Sequence, residues 1–162
     1  LNDAKAKGAD LLFLPIYYTP ASMILAQAHS MDYAPTFFGV DGMDGILTLK
    51  GFDTSLAEGL MLMTPFNPWS TNEKVASFVK SFNEAYGEDP NQFAADAYDG
   101  VYAFKAAIEE AGSIESADMI DAMTKISVSG LTGDPITFDA SGAAVKDVKF
   151  VTVKDGQYTY VE

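Results

Sequence analysis

The sequence predicts an α/β fold: a parallel sheet flanked by helices, with a helical block inserted late and a C-terminal β-hairpin. Three observations carry this. Apolar runs of strand length alternate with a helical pattern over the first 65 or so residues. A stretch from Ser70 to Ile126 then shows helical spacing and no strand signal. Near the end, Asp155-Gly156 separates two alternating runs, a strong hairpin signal.

The elements follow in order. "ADLLFLPI", Ala9 to Ile16, is a continuous apolar run that suits a strand covered on both faces. Thr19 and Pro20 have the chemistry of an N-cap and first helical residue for "PASMILAQAHSM". "TFFGV" and "GLMLMTPF" supply two more buried strands, and short connections between such elements favour parallel pairing. Ser70 and Glu73 match a capping box. Val75, Phe78, Val79, Phe82 and Tyr86 then recur at helical spacing up to Gly87. "FAADAYDGVYAFKAAIEEAG" predicts a second long helix and "SADMIDAMTKI" a third, capped by Ser116. "DPITFD" and "VKFVTVKDGQYTYV" return to strand patterning. Two segments rich in Gly, Pro and Ser, Thr64–Ser70 and Ser129–Pro135, have the composition of crossings between parts of the molecule.

Composition narrows the function classes. Of 162 residues, 48% are hydrophobic and 12% aromatic, enough for a real core. A net charge of −13 argues against nucleic acid or an anionic membrane as partner, since both need a basic face. With no cysteine, thiolate metal sites, cysteine nucleophiles and disulfides are excluded. No apolar run approaches the roughly 20 residues of a membrane helix. The opening at Leu1 shows neither an initiator Met nor a secretory leader, so the expectation is a piece of a longer chain.

Catalytic constellations are sparse. There is one histidine, His29, and neither G-x-S-x-G nor a P-loop motif. Asp41, Asp44 and Asp53 could converge on a metal, but no calcium-loop pattern surrounds them. What remains lies at the carboxyl ends of strands, where open α/β sheets bind ligands. Tyr17 and Tyr18 follow the first strand and Asp41 the second. A carboxylate beside aromatic rings makes an ammonium pocket through Coulomb and cation–π attraction. Gly39 and Gly42 would let a ligand approach closely. The alternatives are structural: Asp41 as a turn former bonded to its own backbone, the tyrosines as core edge, Phe93, Tyr98, Tyr102 and Phe104 as packing, and Trp69 as a plug in a hinge.

The segment "GADLLFLPIYYTPASMILAQAHSMDYAPTFFGVDGM" resembles the ligand-binding lobe of type I periplasmic binding proteins, in particular the branched-chain amino-acid receptors of ABC importers. "FVKSFNEAYGEDPNQFAADAYDGVYAFKAAIEEAG" is similar to that family's paired helices. "LTGDPITFDASGAAVKDVKFVTVKDGQYTYV" is similar to its C-terminal return.

The resemblance implies a two-lobe fold of which this chain is the C-terminal portion, roughly two-fifths to half of a receptor. Residues 1–65 and 136–162 would belong to the ligand-binding lobe and residues 66–135 to the other. It also implies an extracytoplasmic protein, periplasmic or lipid-anchored. The expected function is amino-acid binding without catalysis or cofactor, with membrane permease subunits as partners. Asp41 falls where the family carries the acid that pairs with a ligand ammonium, as a shorter version of a frequent Glu. Tyr17 falls where an aromatic closes over the ligand, with Tyr18 its neighbour. Phe93 falls near a side-chain pocket, with Tyr98 a weaker candidate beside it. The carboxylate-binding groups would lie in the portion absent here. The rivals are a ligand-sensing effector domain of a regulator or receptor, and a metal-assisted α/β enzyme. As a piece cut through two lobes, the chain is expected to self-associate, with the helix face from Val75 to Tyr86 uncovered.

Overall fold

The computed structural model describes residues 1–161. Glu162, the last residue of the expected lobe, lies outside the described residues. The main sheet has five strands in the order β1 (Leu11–Leu14), β2 (Thr36–Gly39), β3 (Met61–Met63), β6 (Phe150–Lys154), β7 (Gln157–Tyr160). The first three pair in parallel, and β6 and β7 join antiparallel. The hairpin turns at Asp155 and Gly156, both at positive φ (52° and 75°), the backbone that a tight two-residue turn between twisted strands requires.

Helix α2 (Tyr18–Ser30) covers one face of this sheet. Its Ala21 and Leu25 pack with Met43, Ile46, Leu62, Val151 and Val153 in the largest core cluster. The opposite face is open, unlike the two-sided cover expected for β1. Leu11 and Phe13 are 54% and 55% exposed. Phe13, Phe38 and Phe150 run across that face as an aromatic row, with ring centroids 6.0 and 6.2 Å apart.

The helical block comprises α3 (Glu73–Tyr86), α4 (Gln92–Ala111) and α5 (Ser116–Met123). Most of the α3 face expected to be open packs instead, while Tyr86 at its end is exposed. Val75 is buried, and Phe78 and Val79 lie against Phe66, Ala95, Leu131 and Tyr98. The uncovered stripe is on α4, where Phe93, Val101, Phe104 and Ile108 are exposed. The reason is pairing: one apolar face of each helix is consumed by its neighbour, and α4 carries apolar residues on two faces. Strands β4 (Thr137–Phe138) and β5 (Ala144–Val145) form a small separate sheet. Phe138 packs with Ala103 and Ala107 of α4, so this ribbon sits with the helices and the chain rejoins the main sheet at Phe150.

The caps fall slightly away from the expected residues. Asn72, not Ser70, caps α3, accepting the N–H groups of Lys74 and Val75; the Ser70 hydroxyl instead accepts the Asn72 N–H. Tyr17 precedes α2 without a side-chain cap, and Thr19 and Pro20 lie in the first turn, where a proline's missing N–H has no partner to lose. Glu115, rather than Ser116, occupies the cap position of α5. Trp69 stacks edge-on to Tyr158 at 5.5 Å, and Asn67 Nδ2 donates to the Tyr158 carbonyl, so the crossing after β3 is pinned to β7.

Candidate ligand-binding site

Strands β1 and β2 end side by side, with Leu14 opposite Gly39. Both then release their chains at the same edge of the sheet. After β1 the chain reaches Tyr17 at the start of α2; after β2 it forms a tight turn, Asp41–Met43. Gly42 has a specific reason to be small. A Cβ there would stand 3.3 Å from the Tyr17 ring and 3.4 Å from the Ile16 carbonyl. The space it clears is therefore occupied by Tyr17, not held open for a ligand. Gly39 lies against buried Met43 in the same way, with 2.6 Å between an added Cβ and the sulfur.

Two of the five candidate residues pair, and a third begins the turn that lies against Tyr17. The Tyr17 ring lies 6.4 Å from that of Phe93, the second residue of α4, and both are exposed, at 65% and 38%. Asp41 stands at the exposed start of the turn whose Gly42 touches Tyr17. The Asp41 carboxylate does not cap its own turn. In that respect it differs from Asp53 and Asp139, each of which accepts the N–H two residues on. Tyr18 and Tyr98 are placed elsewhere. Tyr18 is half-buried in the main core and lies over Gly45. Tyr98 stacks between Phe78 and Tyr102 at 5.0 and 4.8 Å, a packing residue between α3 and α4.

Beside Asp41 is a cleft of about 320 Å³ whose polar walls include Thr64, Gln92, Asp96, Lys146 and Lys149. Lys146 Nζ donates to Asp96 Oδ1 and Thr132 Oγ1, each at 2.9 Å. Its charge is thereby matched. Asp41, Asp147 and Lys149 line the same cleft, and none of the three forms a salt bridge among the described residues.

Beneath the turn lies a buried polar cluster that sequence patterns did not reveal. Asp44 is 2% exposed. Its Oδ1 accepts the Tyr158 O–H at 2.9 Å and the Gly45 N–H at 2.8 Å. Its Oδ2 accepts the Gln92 N–H at 2.7 Å and faces the Thr64 hydroxyl at 3.3 Å. An acid two residues beyond a glycine at a strand end, with a polar residue opening a distant helix, is too ordinary a pattern to announce this. Asp44 is thus a structural hub and unavailable to a metal. Asp53 is engaged by Ser55. Among the described residues, no group of three His, Cys, Asp or Glu side chains is placed to hold a metal ion.

Burial pushes the Asp44 carboxyl above its ordinary value, with the donors from Gln92, Tyr158, Gly45 and Thr64 pulling it back. Burial, and then the Asp44 charge, push the Tyr158 phenol well up. An acid with a raised folded-state pKa holds its proton more tightly folded than unfolded. The stability it contributes is therefore fully present below the unfolded value near 3.8 and declines as pH rises through the folded value. Asp44→Asn removes that dependence. It also leaves at least one buried donor unpaired, at about 1–3 kcal/mol. Urea unfolding between about pH 3 and pH 7 should show wild type more stable, with the gap narrowing as pH rises. A widening gap would mean that the donors outweigh burial.

Asp41 and Tyr17 follow the carboxyl ends of adjacent parallel strands, the edge at which open α/β sheets bind ligands. The chain belongs to the periplasmic binding protein family, whose model matches residues 1–157. Among solved structures it resembles the leucine-binding protein LivK of Thermotoga maritima, with 25% identity and a TM-score of 0.82 over 99% of this chain and 46% of that one. It also resembles the branched-chain amino-acid transporter substrate-binding protein LivJ of Streptococcus pneumoniae in complex with isoleucine. There the identity is 28% and the TM-score 0.78, over 98% of this chain and 47% of that one. An R. palustris solute-binding protein in complex with benzoate shares the fold at 18% identity and a TM-score of 0.85, over 99% of this chain and 44% of that one. The chain thus spans less than half the length of these proteins.

Proposed function

We propose that this chain carries the amine-binding side of a solute receptor for an ABC importer, and that the solute is an amino acid of branched-chain or similar kind. The observation that carries this is the Tyr17–Phe93 ring pair next to the turn that begins with the exposed Asp41, whose following residue Gly42 lies against Tyr17. A ligand ammonium would meet the carboxylate while the rings take its apolar side chain. Resemblance to the leucine-binding and isoleucine-complexed proteins supports an amino acid.

In this reading the main sheet with α1 (Asn2–Ala6) and α2 forms part of one lobe and α3 to α5 part of the other. The β4–β5 ribbon, expected with the first as part of residues 136–162, goes with the second because Phe138 packs against the helical cluster. Lobe closure over the ligand is the functional step, and no chemistry is done. The groups for the ligand's α-carboxylate come from outside these residues. The protein works outside the cytoplasmic membrane and delivers its ligand to permease subunits; no helix among the described residues is long and apolar enough to cross a membrane. Alone, the chain self-associates through its open faces.

A second reading, an aromatic carboxylate receptor, is favoured by the fold matches in complex with benzoate and 3,4-dihydroxybenzoic acid. Asp41 counts against it, because an anionic ligand would meet a like charge on a protein already at −13. A thermal-shift screen on a receptor of the relatives' full length that carries this sequence separates the two. Leucine and phenylalanine should raise the melting temperature more than their α-keto acids and more than benzoate. Preference for the keto acids or benzoate would discard the amine reading.

A further inference from the structure

The turn that carries Asp41 and the first residue of α4 hold each other at two points. Gln92 Nε2 donates to the Asp41 carbonyl at 2.6 Å. In return, Asp44, which closes the turn, accepts the Gln92 backbone N–H at 2.7 Å. The Asp41 carbonyl is also where the turn closes on itself, accepting the Asp44 N–H at 3.0 Å. Gln92 is 1% exposed, so its side of both bonds is shielded from water, and the bond to Asp44 is buried outright. The Thr64 hydroxyl lies 3.2 Å from Gln92 Oε1, which brings the end of β3 into the same knot.

The position of this knot matters more than its strength. On its outer side stands the Asp41 carboxylate. One residue beyond Gln92 stands Phe93, against Tyr17. The acid and the aromatic wall come from distant parts of the sequence, yet two hydrogen bonds, one from the Gln92 side chain and one to the Asp44 carboxylate, tie them together. Asn91 already caps α4 through its own side chain, accepting the Ala94 N–H, so the helix start does not depend on Gln92 Nε2.

We propose that Gln92 and Asp44 are positioning residues of the ligand site. They clamp Asp41 and Phe93 into one preformed corner that stays intact while the rest of the receptor opens and closes against it. The proposal rests on the amine-receptor reading for what the corner binds, but not for the clamp itself.

The test uses Gln92→Leu and Gln92→Met, which both keep roughly the volume and the backbone N–H but remove the side-chain donor. On this chain, amide hydrogen exchange at Met43 and Asp44 should quicken about tenfold in both variants, the size of one lost hydrogen bond. Val153, paired to the Leu60 carbonyl, reports the sheet and should be unchanged. Unchanged exchange in the turn would overturn the clamp.

In a receptor of the relatives' length, Gln92→Leu should weaken leucine binding about tenfold. Combined with Asp41→Asn it should add almost nothing, because it acts through Asp41. Fully additive losses would mean that Gln92 is structural only, and would overturn the positioning role. If the unsubstituted receptor binds no amino acid, the functional reading fails, and the exchange rates still decide the clamp.

Discussion

Asp41→Asn, placed in a receptor of the relatives' full length that carries this sequence, should weaken amino-acid binding by about 2–5 kcal/mol, the range for truncating one partner of a buried charge pair. The carboxylate is exposed here, at the rim of the site. Lobe closure would desolvate it together with the ligand ammonium, and the amide would then face that ammonium with a dipole instead of a charge. The fold should be unaffected, because the buried bonds of the turn run through the Asp41 carbonyl and the Asp44 side chain, which the substitution leaves in place. Calorimetric titration with a panel of amino acids, together with urea unfolding, checks both halves. Equal affinity in the variant would make Asp41 an ordinary surface acid.

The second large effect concerns the 162-residue chain itself, which should self-associate at micromolar concentration. Two surfaces drive this. One is the open face of the sheet, with the Phe13–Phe38–Phe150 row and the unpaired edge of β1. The other is the α4 stripe, where Val101 and Phe104 are 67% and 62% exposed. Edge strands with apolar side chains recruit further strands, and contiguous apolar patches recruit each other. Light scattering coupled to size exclusion should show dimers or larger species. A charge on each surface, as in Phe13→Lys with Phe104→Glu, should shift the population toward monomer. A monomeric unsubstituted chain would show that both faces are tolerated in water. It would remove the argument that another part of the receptor covers them.

Much of the fold was legible because hydrophobic period and turn chemistry are local. The three parallel strands, the helix C-caps at Gly87 and Gly112 and the Asp155-Gly156 turn each declare themselves within a few residues. What was not legible is pairing. Whether a continuous apolar run such as "DLLFLPI" is covered on one face or two depends on what lies above the sheet, and β1 alone cannot say. The same holds for Val75–Tyr86 against the α4 stripe: both are apolar at helical spacing, and only the packed pair shows which is left over.

At the site, strand ends pointed to Tyr17 and Asp41 because chain direction fixes the ligand edge of a parallel sheet. Tyr18 and Tyr98 could not be sorted from their neighbours, since one position along a helix turns a ring from the rim into the core. Asp44 reads in the sequence only as a possible metal ligand, and the roles of Thr64 and Gln92 were not legible, for a different reason. Their meaning is tertiary, a buried acid satisfied by donors from β7 and α4.

The most direct measurement is a residue-resolved NMR titration of ¹⁵N-labelled protein with leucine and, separately, with its α-keto acid. The account predicts that leucine shifts the amides of Tyr17, Asp41, Gly42 and Phe93, that the keto acid does so far less at equal concentration, and that Asp41→Asn abolishes the difference. Shifts centred elsewhere, for example on the cleft lined by His29, Tyr33 and Glu58, or an equal response to the keto acid, would contradict an amine site at Asp41.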